Sequence, residues 1–298
     1  MKPQGGTELL YNNLIKYVGT DWQKNVNLVL SFCHQGILNP NKTNVLWQHL
    51  HTDQGAIRGM QDRTFIDSVD HFVYVSNWQL QQYRTRFDIS DADNRVIKNA
   101  IEPIEFLEKP KDRLRLIYTS MPNRGLSVLL DAFPLLNRDV ELVIYSSNII
   151  YGKSYYDMMG TSHEPLFNRA RTMKNVSYKG FATNKAVRLA LQQSHILAYP
   201  STFEETSCIA AIEAGAAGCQ IVTTDLGALP ETCGQWAQFT EYTPDHASLV
   251  DAYVQMLRTA VDNYPPDSVQ LAEQSQWFNN EYSWNNRAKE WGTFLNGL

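Results

Sequence analysis

Two glutamates, Glu205 and Glu213, stand eight residues apart in STFEETSCIAAIEAGAAG, Ser201–Gly218. An apolar run, HILAYP (His195–Pro200), precedes this stretch, and another, CQIVTTD (Cys219–Asp225), follows it. The order is strand, polar loop, small-residue helix, strand. A helix start presents unpaired N–H groups and the positive end of the helix dipole, which together attract a diphosphate. Glu205, in the loop, can accept hydrogen bonds from sugar hydroxyls. Glu213, about two turns into the helix, can take the diol of a ribose. The alanines and glycines let that helix lie close to a sheet and to a ligand. This is chemistry for a nucleotide sugar. A solvent-facing position is expected for Glu205.

Two further groups could serve such a site. In TSMPNRGLSVLLDAF (Thr119–Phe133) a strand ends in a Pro-Asn turn, and Arg124-Gly125 opens an apolar helix. A guanidinium there can grip a diphosphate with a bidentate fork. In VLWQHLHTDQ (Val45–Gln54) a strand runs into a polar loop carrying His49, His51 and Asp53. Either His49 or His51 could face a ligand there, and Asp53 could orient either ring. Strand ends at a topological switch point are where α/β folds bind ligands. His163 and His246 show no partner at useful spacing and read as surface residues.

The elements that must position these groups alternate along the chain. Strands are expected at Val26–Phe32, Asn44–Leu50, His71–Val75, Arg95–Ile97, Leu114–Thr119, Val140–Tyr145, Val176–Lys179, His195–Tyr199 and Gln220–Thr224. Helices are expected at Thr7–Tyr17, Asp62–Ser68, Trp78–Phe87, Leu126–Leu136, Tyr155–Met159, Glu164–Thr172, Asn184–Gln193 and Thr206–Ala217. Short strands rich in Val, Ile, Leu and Tyr fit parallel sheets covered on both faces. Alternation with helices means βαβ units and doubly wound domains. The linker IEPIEFLEKPKDR, with two prolines and alternating charge, marks a boundary near Pro103–Arg113. Its cations Lys109, Lys111 and Arg113, with Arg115, read as a solvated segment. In the tail, Trp277, Trp284 and Trp291 stand seven apart, and Ser283 suits a helix N-cap.

Composition narrows the class. The 298 residues suffice for two domains, and a net charge of −5 leaves no nucleic-acid footprint. No run reaches transmembrane length, and MKPQGGTELL lacks the apolar core of a signal peptide. The four cysteines show no metal spacing; Cys33 and Cys219 read as buried small hydrophobes. A soluble, cytoplasmic protein is expected, with peripheral membrane association left open.

The Pro200-Ser201…Glu205-x7-Glu213 stretch with its small-residue helix resembles the donor-site signature of retaining GT-B glycosyltransferases, the large family often called GT4. Thr206-Ser207-Cys208 stands where the family has Phe-Gly. Three other segments extend the resemblance. Gly5-Gly6-Thr7-Glu8 is similar to the family's Gly-Gly-x-Glu loop. Arg124-Gly125 matches its Arg-Gly or Lys-Gly turn, although Tyr118 occupies a position where the family often has a second Arg. Asn99 matches the Asn of an Asn-Gly pair that is Asn99-Ala100 here.

The resemblance implies an α/β GT-B fold: two Rossmann-like doubly wound domains facing each other across a cleft. The N-terminal one, 1–105, is truncated and lacks the family's first strand. A nucleotide-sugar domain spans 106–280, and a C-terminal helix within 281–298 crosses back. The resemblance also implies a hexosyltransferase using a nucleoside-diphosphate sugar, UDP- or GDP-hexose, with retention. No Asp-x-Asp pair stands at a strand end near this site, so no metal or cofactor is expected to be required, the positive groups taking that place. His49, Glu205 and Arg124 take catalytic roles. Gly5, Gly6, Ser120, Arg124, Glu205, Thr206, Ser207, Cys208 and Glu213 bind the donor, and His51, Asp53 and Asn99 are further candidates. The acceptor, whether glycan, lipid or protein, is not specified. A nucleotide-sugar-binding protein without turnover and a nucleotide-sugar epimerase are the alternatives.

Overall fold

The computed structural model describes residues 5–89, 93–151, 161–265 and 268–298. The helix expected over Tyr155–Met159 lies outside them. The chain divides into two compact units. One comprises Gly6–Ile101, Glu205–Ser207 and Tyr282–Leu298; the other holds Glu102–Glu204 and Cys208–Glu281, with Gly5.

The first unit is built on a four-stranded parallel sheet. Helix α1 (Gly6–Val18) leads to β1 (Val26–Leu30) and β2 (Thr43–Gln48). Then follow α2 (Arg63–Ile66), β3 (His71–Tyr74), α3 (Asn77–Arg86) and β4 (Asp93–Val96). The sheet order is β1-β2-β3-β4, so each strand lies beside its neighbour in sequence. Among the described residues this sheet therefore has no reversal of strand order, and the end of β2, with His49, is not at a switch point. Alternate residues serve opposite faces. Leu46, Phe72 and Tyr74 enter a core with Ile57, Met60, Phe65, Leu80 and Tyr83. Val45, Trp47 and Val73, also fully buried, fill the other face. A strand buried on both faces needs no polar alternation, which is why β2 reads as an apolar run. The Ser76 hydroxyl caps α3 by accepting from the Gln79 N–H.

The second unit starts at β5 (Arg115–Tyr118), followed by α4 (Leu126–Leu135), β6 (Glu141–Ile144), α5 (Glu164–Thr172), β7 (Val176–Tyr178), α6 (Asn184–Gln192) and β8 (Ile196–Tyr199). It continues through α7 (Ile209–Ala216), β9 (Gln220–Thr224), α8 (Leu229–Cys233), β10 (Ala237–Thr240), α9 (His246–Asp262) and α10 (Ser268–Glu281). All pairings are parallel, in the order β10-β9-β8-β5-β6-β7. The chain builds outward from β5 to β7, returns to place β8 against β5, and builds outward the other way. The reversal between β5 and β8 is the switch point, with a crevice expected beyond the strands' carboxyl ends.

Helix α11 (Trp284–Asn296) closes the chain as part of the first unit. Ser283 is its N-cap, accepting from the Asn286 N–H. It packs on α1, and its Trp291 meets Trp47 with ring centroids 4.6 Å apart. Strand β10 and helices α8, α9 and α10 were not expected from the sequence. For α9 the signal is present: Leu249, Val250, Tyr253, Val254 and Leu257 are buried at helical spacing.

Candidate functional site

In the six-stranded unit the groups gather at the switch point. The Tyr118 hydroxyl donates to the Met121 carbonyl and shapes the turn after β5. Tyr118 is fully buried, so the position where the resemblance led to an Arg is a core position here. Gly125 follows the turn with φ +96°, and a Cβ there would overlap the Pro200 carbonyl oxygen. Only glycine meets both demands, and its absent side chain lets the turn after β5 lie directly on the loop after β8. The Ser120 hydroxyl lies 3.3 Å from the Tyr199 hydroxyl, linking the same two strand ends. The Arg124 guanidinium sits over the Phe203 ring at 4.3 Å, so its charge is held above the loop that leads to Glu205.

Helix α7 starts at Ile209, three residues later than the sequence suggested, with Cys208 as N-cap and no side-chain cap. Its first-turn N–H groups thus keep their donor capacity for something other than a capping side chain. Glu213, on the same helix, is 6 % exposed. The Asn184 amide on α6 donates to its carboxylate at 2.9 Å. Burial pushes the Glu213 carboxyl up to about 6, opposed by that hydrogen bond and by the charge of Arg188. A carboxylate kept buried with one protein partner has acceptor capacity left for a diol.

A small cavity opens at the carboxyl ends of β5, β6 and β7, lined by Ser120, Tyr145, Ser146, Phe181 and Val187 among others. Helix α6 contributes Val187 to this cavity and Asn184 to Glu213. Asn184, Tyr145 and Phe181 escaped sequence reasoning. The available signal was positional: Tyr145 and Phe181 come just after strands, on the side where parallel sheets bind ligands.

In the four-stranded unit, Thr206 is bound directly to the end of β2. Its hydroxyl donates to the His49 carbonyl at 2.8 Å, and its own carbonyl accepts from Ser76 Oγ at 2.7 Å. These bonds hold 205–207 as loop and explain the late start of α7. The solvent-facing position expected for Glu205 is not found: Glu205 is 3 % exposed. The His49 ring packs against Trp47 at 4.6 Å. Its Nδ1 lies 3.2 Å from Ser31 Oγ, which also accepts the His49 backbone N–H. His49 Nε2 is buried without a partner. Burial lowers the His49 pKa to about 3, so the ring is neutral at ordinary pH.

Ser31 itself is held at φ +63°. A left-handed serine stores strain of about 1 kcal/mol or more, and here it places the hydroxyl that contacts His49. His51 is engaged otherwise: its Nδ1 meets Asp53 at 2.8 Å and its ring lies over Trp78 at 5.6 Å. Asn99 is buried, with no partner for Oδ1. Gly6 opens α1, and Gly5 groups with the six-stranded unit. His246 and His163 are partnered after all, with Asp131 at 2.7 Å and Asn148 at 2.8 Å.

Known structures share this architecture. HepE from Anabaena, solved with UDP and glucose, superposes with a TM-score of 0.71 at 13 % identity, over 99 % of this chain and 84 % of that one. Sucrose-phosphate synthase from Thermosynechococcus elongatus gives 0.66 at 14 % identity, over 87 % and 68 %. The pneumococcal O-GlcNAc transferase GtfA, solved with UDP and GlcNAc, gives 0.63 at 16 % identity, over 86 % and 53 %. The chain therefore spans about half the length of that last protein. At these identities the likeness is one of fold, and the fold is that of the GT-B glycosyltransferases. No curated protein matches the sequence. Residues 113–259, which contain the whole six-stranded sheet, match the family Glycosyl transferases group 1. Just under half of the chain therefore carries the similarity to that family, and, 205–207 apart, it lies within the six-stranded unit.

Proposed function

We propose that this protein transfers a hexose from a nucleoside-diphosphate sugar, UDP-linked, to an acceptor hydroxyl, with retention at the anomeric carbon and without a metal ion. The observation that carries this reading is buried Glu213, held by Asn184 of α6 and placed on α7, whose N-terminus has no side-chain cap and lies at the switch point of a parallel sheet. Glu213 takes the ribose diol, and the base enters the cavity beside α6. The α7 N–H groups and Arg124 stabilise the departing diphosphate, the charge-stabilising role that a metal would otherwise fill. Glu205 orients the hexose through its hydroxyls. His49, neutral and with Nε2 uncommitted, offers a hydrogen bond to the sugar. The bond from the anomeric carbon to the phosphate oxygen breaks as the acceptor oxygen bonds on the same face. The acceptor's proton passes to the leaving phosphate. The bound UDP and sugars in HepE and GtfA support the choice of donor. Among the described residues no helix is long and apolar enough to cross a membrane.

Thermal shift against UDP- and GDP-hexoses tests the reading, because a ligand bound only by the folded state raises the melting temperature. A UDP-hexose should raise it, and UDP release with acceptor extracts should persist in EDTA. No shift with any nucleotide sugar would refute donor binding. Inactivation by EDTA that manganese restores would refute metal independence.

A further inference from the structure

The linker was expected to be solvated, and at Lys109 it is not. The Lys109 ammonium donates to Ala217 O at 2.8 Å, Leu191 O at 3.1 Å and Gln192 O at 3.4 Å. Leu191 and Gln192 end α6, and Ala217 is the C-cap of α7. Three N–H donors thus meet three terminal carbonyls, and one cation sits at the negative ends of two helix dipoles. Helix α6 in turn holds the linker: Arg188 donates to Glu102 O at 2.8 Å and Gln192 to Glu105 O at 2.9 Å.

These two helices are the pair whose side chains meet at Glu213. Asn184 is the first residue of α6, and Leu191 and Gln192 are its last. The Lys109 tie and the Asn184–Glu213 bond therefore join α6 to α7 at points about 11–12 Å apart along α6. Two separated ties fix the rotation of one helix against the other, where one would leave a pivot. The remaining end carbonyls of α7 are held from α10: Gln274 donates to Gly215 O at 3.2 Å and Asn279 to Ala216 O at 3.3 Å. Those bonds anchor α7 alone, whereas Lys109 reaches both helices. The Cys219 thiol, 3.2 Å from Leu191 O, adds a weaker link of the same kind.

We propose that Lys109 is a positioning residue for the donor site, joining the C-termini of α6 and α7 so that Asn184 and Glu213 present a fixed grip to the ribose diol. This rests on the donor-site reading above. The test compares UDP with 2′-deoxy-UDP by calorimetry, below the melting temperature, for wild type, Lys109→Met and Lys109→Arg. Methionine keeps the apolar stem and removes charge and donors. It should weaken UDP about tenfold and 2′-deoxy-UDP about twofold, so that discrimination between them shrinks about fivefold. Arginine should fall between, because its planar fork keeps the charge without matching three carbonyls. An undiminished preference for the ribonucleotide in both folded variants would overturn the proposal. Hydrogen exchange without ligand gives an independent reading. Amides near Asn184 and Glu213 should exchange faster in both variants, and unchanged protection there would also overturn it. A wild type that does not distinguish the two nucleotides would refute the ribose role of Glu213; the exchange result would still decide whether Lys109 holds the helices.

Discussion

Replacing Glu213 with Gln is expected to stabilise the ligand-free protein while loosening its hold on the nucleotide. Burial raises the carboxyl from 4.5 to about 6. The folded chain therefore binds this proton more tightly than the unfolded chain. Between pH 4.5 and about 6 the folded state carries more protons, so stability falls as pH rises through that window and stays reduced above it. The displacement corresponds to about 2 kcal/mol at neutral pH. Gln has nearly the same shape and keeps an acceptor for the Asn184 amide, but it adds two donors to a buried site. An imperfectly paired donor costs about 1 kcal/mol or more, which leaves a net gain of about 1 kcal/mol above pH 7. Urea denaturation of both proteins from pH 5 to 8 should show the gap between Gln and wild type widening in favour of Gln as pH rises. Calorimetry at pH 8 should show weaker UDP binding by the variant. A gap independent of pH would mean that Glu213 does not ionise in a buried site. Unchanged UDP affinity would mean that it does not hold the ribose.

Arg124→Ala should weaken UDP by about 1.5–3 kcal/mol, the range for hydrogen bonds to charged groups, and uridine hardly at all. Lys at this position should recover only part of the loss, because the guanidinium is also stacked on Phe203; equal weakening of UDP and uridine would show that Arg124 does not read the phosphates. With its pKa lowered from 6.5 to about 3, His49 should contribute no ionisation to the pH–rate profile between pH 5 and 8. The unfolded chain takes up that proton first, so stability present above pH 6.5 should be lost as pH falls towards 3. His49→Gln should flatten that loss in acid denaturation; a loss of the same size would place the acid sensitivity elsewhere.

The amino-acid sequence by itself determined the alternation of strand and helix and the parallel sheets. Those features are written in local patterns. A strand buried on both faces must be apolar, a helix must repeat its apolar residues at 3.6, and a turn lying against another backbone must carry a glycine such as Gly125. Glu205, Glu213 and Arg124 could be picked out as candidates because their types and spacing suit one chemistry. Tertiary structure decided which partners they meet. The bond between Thr206 and His49 spans 157 positions, and the His246–Asp131 pair spans 115. No local period carries such a pairing. The burial of Glu205, the strained Ser31 beside His49 and the capture of Lys109 by two helix ends are of the same kind. Charge and polarity predict a preference for water, but a side chain keeps that preference only until the fold brings it enough partners to replace the water.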